Sequence, residues 1–221
     1  MDLTSGLLPS VWYWLAHAVL AVLVIVIGRK VPWRRLSNPA LLHLWLGTIV
    51  LLSLLWSIRT GLRPGLGFHL LGAAACTLLF GRSLGFFAML LVLAGQVLTG
   101  AIELWTFSVN ALVMVAFPVA LTHALLRIVQ TRLPPNLFVY IFAAAFFGGA
   151  LSMVATGVLG SVLLSLAGVY ERDYLWSEYL LWFVLMSWAE AFVTGGWLTF
   201  AVVYRPNWVA TFDERRYLNQ G

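Results

Sequence analysis

Apolar residues run through this chain in long blocks, with neither the strict alternation of a half-buried strand nor the narrow stripe of a surface helix. Blocks of about 20 such residues are long enough to cross a bilayer as α-helices. Read in order they are Pro9–Gly28, Pro39–Ile58, a segment of about 15 residues headed by His69, Ser83–Gly100, Ser108 to about Leu126, a run within 136–170, and Tyr179–Tyr204. The pattern predicts an all-α polytopic membrane protein with about seven transmembrane helices. The 35 residues of 136–170 would measure about 50 Å as one helix, against a hydrocarbon core of about 30 Å. A bend is therefore expected there, with a spanning helix and an extracytoplasmic extension, and Gly148, Gly149, Gly157 and Gly160 provide sites of close packing. The polar stretch Glu171-Arg-Asp-Tyr-Leu-Trp-Ser-Glu178 reads as an outer loop.

Composition sharpens this picture. Of 221 residues, 62% are hydrophobic and 10% charged, well outside the soluble range, and no polar block is large enough to fold separately. Residues 1–221 form one integral membrane domain. The net charge of +5 sits in short loops, so it reports topology, with the lipid bilayer as partner and no nucleic acid. With the N-terminus outside and the C-terminus inside, ten of the thirteen basic residues fall on the cytoplasmic side, led by Arg29, Lys30, Arg34 and Arg35. The first block ends in Arg29-Lys30 with no small-residue cleavage site, which is not the form of a signal peptide.

Polar side chains inside apolar blocks carry the chemistry, because each costs on the order of 1–3 kcal/mol when left unpaired there. On a helix, His69, Gly72, Ala73 and Cys76 would share one inward face. His69 then reads either as a ligand-binding group or as a histidine bonded to a nearby carbonyl. Gln96 ends one block and Asn110 begins the next, so both lie at the depth of His69 and are open to interhelical hydrogen bonding. Glu190 is midway along the last block with Thr194 one turn on, a buried structural acid or a gating group. The single cysteine, Cys76, packs as a small hydrophobe, and His17, His43 and His123 read as structural. Gly81-Arg-Ser-Leu-Gly85 matches the nucleophile-elbow pattern but lacks the strand–turn–helix setting that gives it meaning, and no phosphate-binding G-x-x-x-x-G-K-[ST] motif is present.

Together these blocks resemble the cobalt- and nickel-specific membrane subunit, CbiM/NikM type, of energy-coupling factor (ECF) ABC transporters. The resemblance is carried by Met1-Asp-Leu-Thr-Ser-Gly-Leu-Leu, Phe68-His-Leu-Leu-Gly72, Leu91-Val-Leu-Ala-Gly-Gln96, Asn110, and Trp188-Ala-Glu-Ala-Phe-Val-Thr-Gly195 followed by Arg205-Pro206. It implies an ECF substrate-component bundle with an extra N-terminal helix, in the bacterial cytoplasmic (inner) membrane. It further implies metal ligation by Met1, Asp2 and His69, with Gln96 and Asn110 holding the N-terminal segment or forming an outer shell. The metal would be a transported divalent ion (cobalt, nickel or zinc), with no permanent cofactor and no catalytic residue. A transmembrane coupling subunit and cytoplasmic ATPase subunits are the implied partners. Asp2 departs from the histidine usual at that position, trading a nitrogen for a harder oxygen and weakening any square-planar Ni(II) preference. The coupling-subunit docking pattern Ala-x-x-x-Ala is not found in Pro39–Ile58. An organic micronutrient as substrate, an intramembrane hydrolase using Glu190 and a membrane assembly factor are the alternatives.

Overall fold

The computed structural model describes residues 2–61, 63 and 65–217. Among the described residues five helices are long and apolar enough to span a bilayer: α1 (Ser10–Gly28), α2 (Pro39–Ser57), α5 (Leu104–Arg132), α6 (Leu137–Leu166) and α7 (Arg172–Tyr204). Between α2 and α5 come a half-length helix, α3 (Ala73–Phe80), and the 17-residue α4 (Arg82–Leu98). The expected count of about seven thus resolves into six long rods and one half-rod. Exposed Val22, Leu54 and Phe192 on the outward faces give the apolar exterior that lipid requires.

Helix α3 is the hub, packed against α4, α5, α6 and α7. Seven of its eight residues are buried, and its opening run Ala73-Ala-Ala-Cys76 is small enough to let four neighbouring helices close around it. At its C-terminal end, carbonyls that a helix leaves unpaired are taken up by the chain's tail. The Ala210 amide donates to Leu79 O at 2.7 Å, and the Thr211 hydroxyl donates to Leu78 O at 2.7 Å and meets the Tyr140 hydroxyl at 2.7 Å. Arg34 and Arg35 line one cleft with Asn207 and Trp208, so the basic loop after α1 and the tail after α7 share one end of the bundle.

Two predicted boundaries need correction. Residues 172–178, expected in a loop, are the first turns of α7, with Leu175–Tyr179 in π-helical geometry. Residues 137–166 form one continuous helix that ends at Leu166, short of the expected end at Tyr170, with a π stretch at Tyr140–Phe146. At about 1.5 Å per residue this rod is still longer than the hydrocarbon core, an excess that tilt or protrusion absorbs. A π stretch explains why no break was needed: it inserts a residue and re-aims side chains while keeping the main chain hydrogen-bonded.

Candidate metal centre

At the end opposite the basic loops, three non-helical pieces meet: residues 2–8, the connection between α2 and α3, and the connection between α4 and α5. The first of these is folded into the bundle. Leu3 is 1% exposed, and its amide and carbonyl are both held by one side chain, with Leu3 N donating to Asn110 Oδ1 at 2.9 Å and Asn110 Nδ2 donating to Leu3 O at 2.9 Å. Asn110 Nδ2 also donates to Thr106 Oγ1 at 3.2 Å. The Tyr13 hydroxyl closes the segment by accepting from Leu8 N and donating to Thr4 O. A primary amide is suited to this because it offers a donor and an acceptor side by side, matching the main-chain pair of a single extended residue. Asn110→Ala leaves both buried Leu3 groups unpaired, and the expected result is a loss of about 1–3 kcal/mol in stability, read from thermal unfolding in detergent. Stability equal to wild type would show that Leu3 finds other partners.

His69 corrects the helical-face expectation. It lies in extended chain before α3, because Gly72, with φ +68°, takes the left-handed conformation and starts the helix one residue later. A two-residue antiparallel ladder, β1 (Thr60–Gly61) with β2 (Gly67–Phe68), pairs Thr60 with Phe68 and Gly61 with Gly67. Continuing that register brings Arg59 alongside His69. The imidazole is 2% exposed and lies against the Trp56 ring, centroids 4.5 Å apart, while Trp56 Nε1 donates to Leu71 O. On the other side Phe68 packs into Tyr179 and Phe183 of α7.

Both edges of the His69 ring are accounted for. Nδ1 lies 3.0 Å from Leu70 O; a carbonyl can only accept, so Nδ1 carries the proton and the neutral ring presents a lone pair at Nε2. That buried Nε2 has no hydrogen-bond partner. The group facing it is Asp2 Oδ1 at 3.6 Å, another acceptor. Two acceptors facing each other at this distance leave room for a cation between them. Bonds of about 2.0–2.2 Å from an imidazole nitrogen and a carboxylate oxygen to one transition metal place those atoms about 3–4 Å apart, so the observed spacing fits without rearrangement. Gly67 makes the approach possible, since a Cβ there would lie 3.2 Å from Asp2 Oδ2. Asp2 Oδ2 in turn accepts from Arg59 at 3.1 Å.

These contacts set the protonation states. Burial pushes the His69 imidazole below its ordinary 6.5, keeping it neutral. Burial alone would raise the Asp2 carboxyl, but the Arg59 guanidinium that donates to its Oδ2 favours the charged form and lowers it. A ligand must be deprotonated to bind metal. The contribution of His69, read by titration calorimetry as the ratio of wild-type to His69→Ala divalent-metal affinity, is therefore expected to stay level as pH falls from about 8 to 6.5 and to shrink only below that. A twofold fall in that ratio already at pH 6.5 would mean an ordinary exposed imidazole.

The other predicted residues surround this pair in different ways. Glu190, 1% exposed, accepts from Leu71 N at 2.9 Å and Gly72 N at 2.8 Å. It thus anchors the main chain two and three residues beyond His69, at the start of α3, where a negative charge is favoured. Thr194, one turn away, packs against Gly149 of α6. Gln96 does not reach the N-terminal segment: its Nε2 donates to Ser53 O at 3.0 Å, joining α4 to α2. Met1 lies outside the described residues. Among the described residues no three His, Cys, Asp or Glu side chains group closely enough to hold a metal by themselves, so a metal between Asp2 and His69 would take its further donors from elsewhere. His17 bonds the Ser108 hydroxyl at 2.7 Å in a nest with Trp14 and Trp105. Sequence reasoning missed Arg59 and Trp56; a lone arginine in an outer loop carries no signal until the loop folds back onto Asp2.

Fold and site together define a multi-pass membrane protein with a two-sided acceptor site at one end of its helical bundle. The chain belongs to the family described as the cobalt uptake substrate-specific transmembrane region (CbiM), which it matches over residues 2–208. It is accordingly a transmembrane component of transition-metal uptake. The crystal structure of a truncated transition metal transporter shares the fold, with a TM-score of 0.77 and 15% sequence identity over 92% of this chain and 98% of that one. Comparison with curated proteins returned no match.

Proposed function

We propose that this chain captures a divalent transition-metal ion, cobalt, nickel or zinc, between Asp2 Oδ1 and His69 Nε2, and that the amino group of Met1 completes the ligand set. The observation that carries the reading is the buried, unpartnered Nε2 lone pair facing a carboxylate oxygen 3.6 Å away. Asn110 positions the segment that delivers Asp2, and Glu190 positions the strand of chain that carries His69. The ion is substrate and undergoes no chemistry here. Binding occurs on the outer face of the bacterial cytoplasmic membrane, with the basic end and C-terminal tail inside, in keeping with the positive-inside rule. Energy comes from a separate transmembrane coupling subunit and ATPase subunits, since this chain has no nucleotide-binding motif of its own.

Adding two residues ahead of Met1 tests the ligand set, because the extension moves the terminal amine while leaving Asp2 and His69 in place. Metal-dependent uptake by cells expressing the extended protein at wild-type level is expected to collapse. Undiminished uptake would exclude the amine as a ligand.

A further inference from the structure

Arg59 makes two contacts that the capture site does not obviously require. One guanidinium nitrogen donates both to Asp2 Oδ2 at 3.1 Å and to Ala101 O at 3.0 Å. It therefore ties the N-terminal segment to the loop between α4 and α5 while standing on the loop that also carries His69. Its side chain is 34% exposed against 17% for Asp2, which places it at the mouth of the site with Asp2 beneath.

The two oxygens of Asp2 are thereby divided. Oδ1 faces Nε2 of His69, and Oδ2 is occupied by a cation that belongs to the protein. A free carboxylate can chelate a metal through both oxygens, an arrangement that suits hard, oxygen-preferring ions, whereas a single oxygen beside an imidazole leaves the nitrogen donor to dominate. The positive charge of Arg59 adds to this by opposing any ion held only by charge. We propose that Arg59 is a specificity-determining residue that restricts Asp2 to one coordinating oxygen and so excludes hard divalent cations from the site. Asp2 introduces a hard donor, and Arg59 limits its use.

This inference rests on the metal-capture reading, and the test separates the two. Purified wild-type protein and Arg59→Gln, each checked for helicity by circular dichroism, are titrated with Co²⁺ and with Mn²⁺ by calorimetry. Wild type is expected to prefer Co²⁺, and in Arg59→Gln the Co²⁺ to Mn²⁺ affinity ratio is expected to fall at least about tenfold, chiefly through tighter Mn²⁺ binding. A ratio within about twofold of wild type overturns the inference, as does loss of all binding in a folded Arg59→Gln, since Arg59 would then be needed to assemble the site. A second measurement uses wild type alone: with ¹³C-labelled aspartate and bound Co²⁺, the carboxylate infrared stretches are expected to be widely separated, as for one-oxygen coordination, and a narrow separation overturns the inference whatever the variant does. Wild type that binds neither ion overturns the capture reading itself.

Discussion

His69→Ala is expected to lower divalent-metal affinity by at least about 100-fold while leaving the helical bundle intact. Altering groups that merely support a metal ligand costs about 10–100-fold, and this substitution removes the ligand. Beyond its packing against Trp56, little else depends on the ring. Its Nδ1 bond goes to the adjacent Leu70 carbonyl, and the loop retains Trp56 bonded to Leu71 on one side and Phe68 packed into α7 on the other. Calorimetric titration with Co²⁺ alongside thermal unfolding separates the two effects. Affinity within about tenfold of wild type would remove His69 from the ligand set.

Glu190→Ala is expected to act through stability first. The carboxylate is the acceptor for two buried main-chain amides, Leu71 N and Gly72 N, and each stranded amide costs about 1–3 kcal/mol. A loss of about 2–6 kcal/mol follows for the pair, with a lower midpoint of thermal unfolding in detergent. Because those amides belong to the chain just beyond His69, Co²⁺ affinity is expected to weaken about tenfold in whatever fraction remains folded. Glu190→Gln is not a mild version. Its NH₂ group would turn a donor toward one of two donors. Unchanged stability in Glu190→Ala would mean that water or Thr194 takes over both amides.

Much of the architecture was legible because in a bilayer the apolar run is itself the structure: a chain of such runs has no spanning option but helices, and its basic residues sort to one end. The boundaries that went astray did so for local reasons. Glu171, Asp173 and Glu178 read as loop by polarity, yet Arg172–Tyr174 and the π turn after it extend α7 beyond the apolar run. At His69, the small-residue spacing suggested a helical face, but Gly72 in the left-handed conformation starts α3 after it. Hydropathy registers neither a π turn nor a positive φ, since both concern main-chain geometry.

The candidate site divides in the same way. That His69, Gln96, Asn110 and Glu190 needed partners followed from the sequence alone, because polar groups in apolar helices are costly unless paired. Which partner each would take did not follow. Asn110 grips Leu3 across 107 positions and Glu190 reaches Leu71 across 119, whereas Gln96 turns to Ser53. The family resemblance, not the pattern of the residues, had put Asp2 with His69; only the tertiary structure brought Arg59 onto Asp2, because pairing at that range is decided by how helices pack and where loops return, and neither leaves a periodic trace in the chain. The sequence alone determined a membrane-embedded helical protein with polar groups to satisfy at one end.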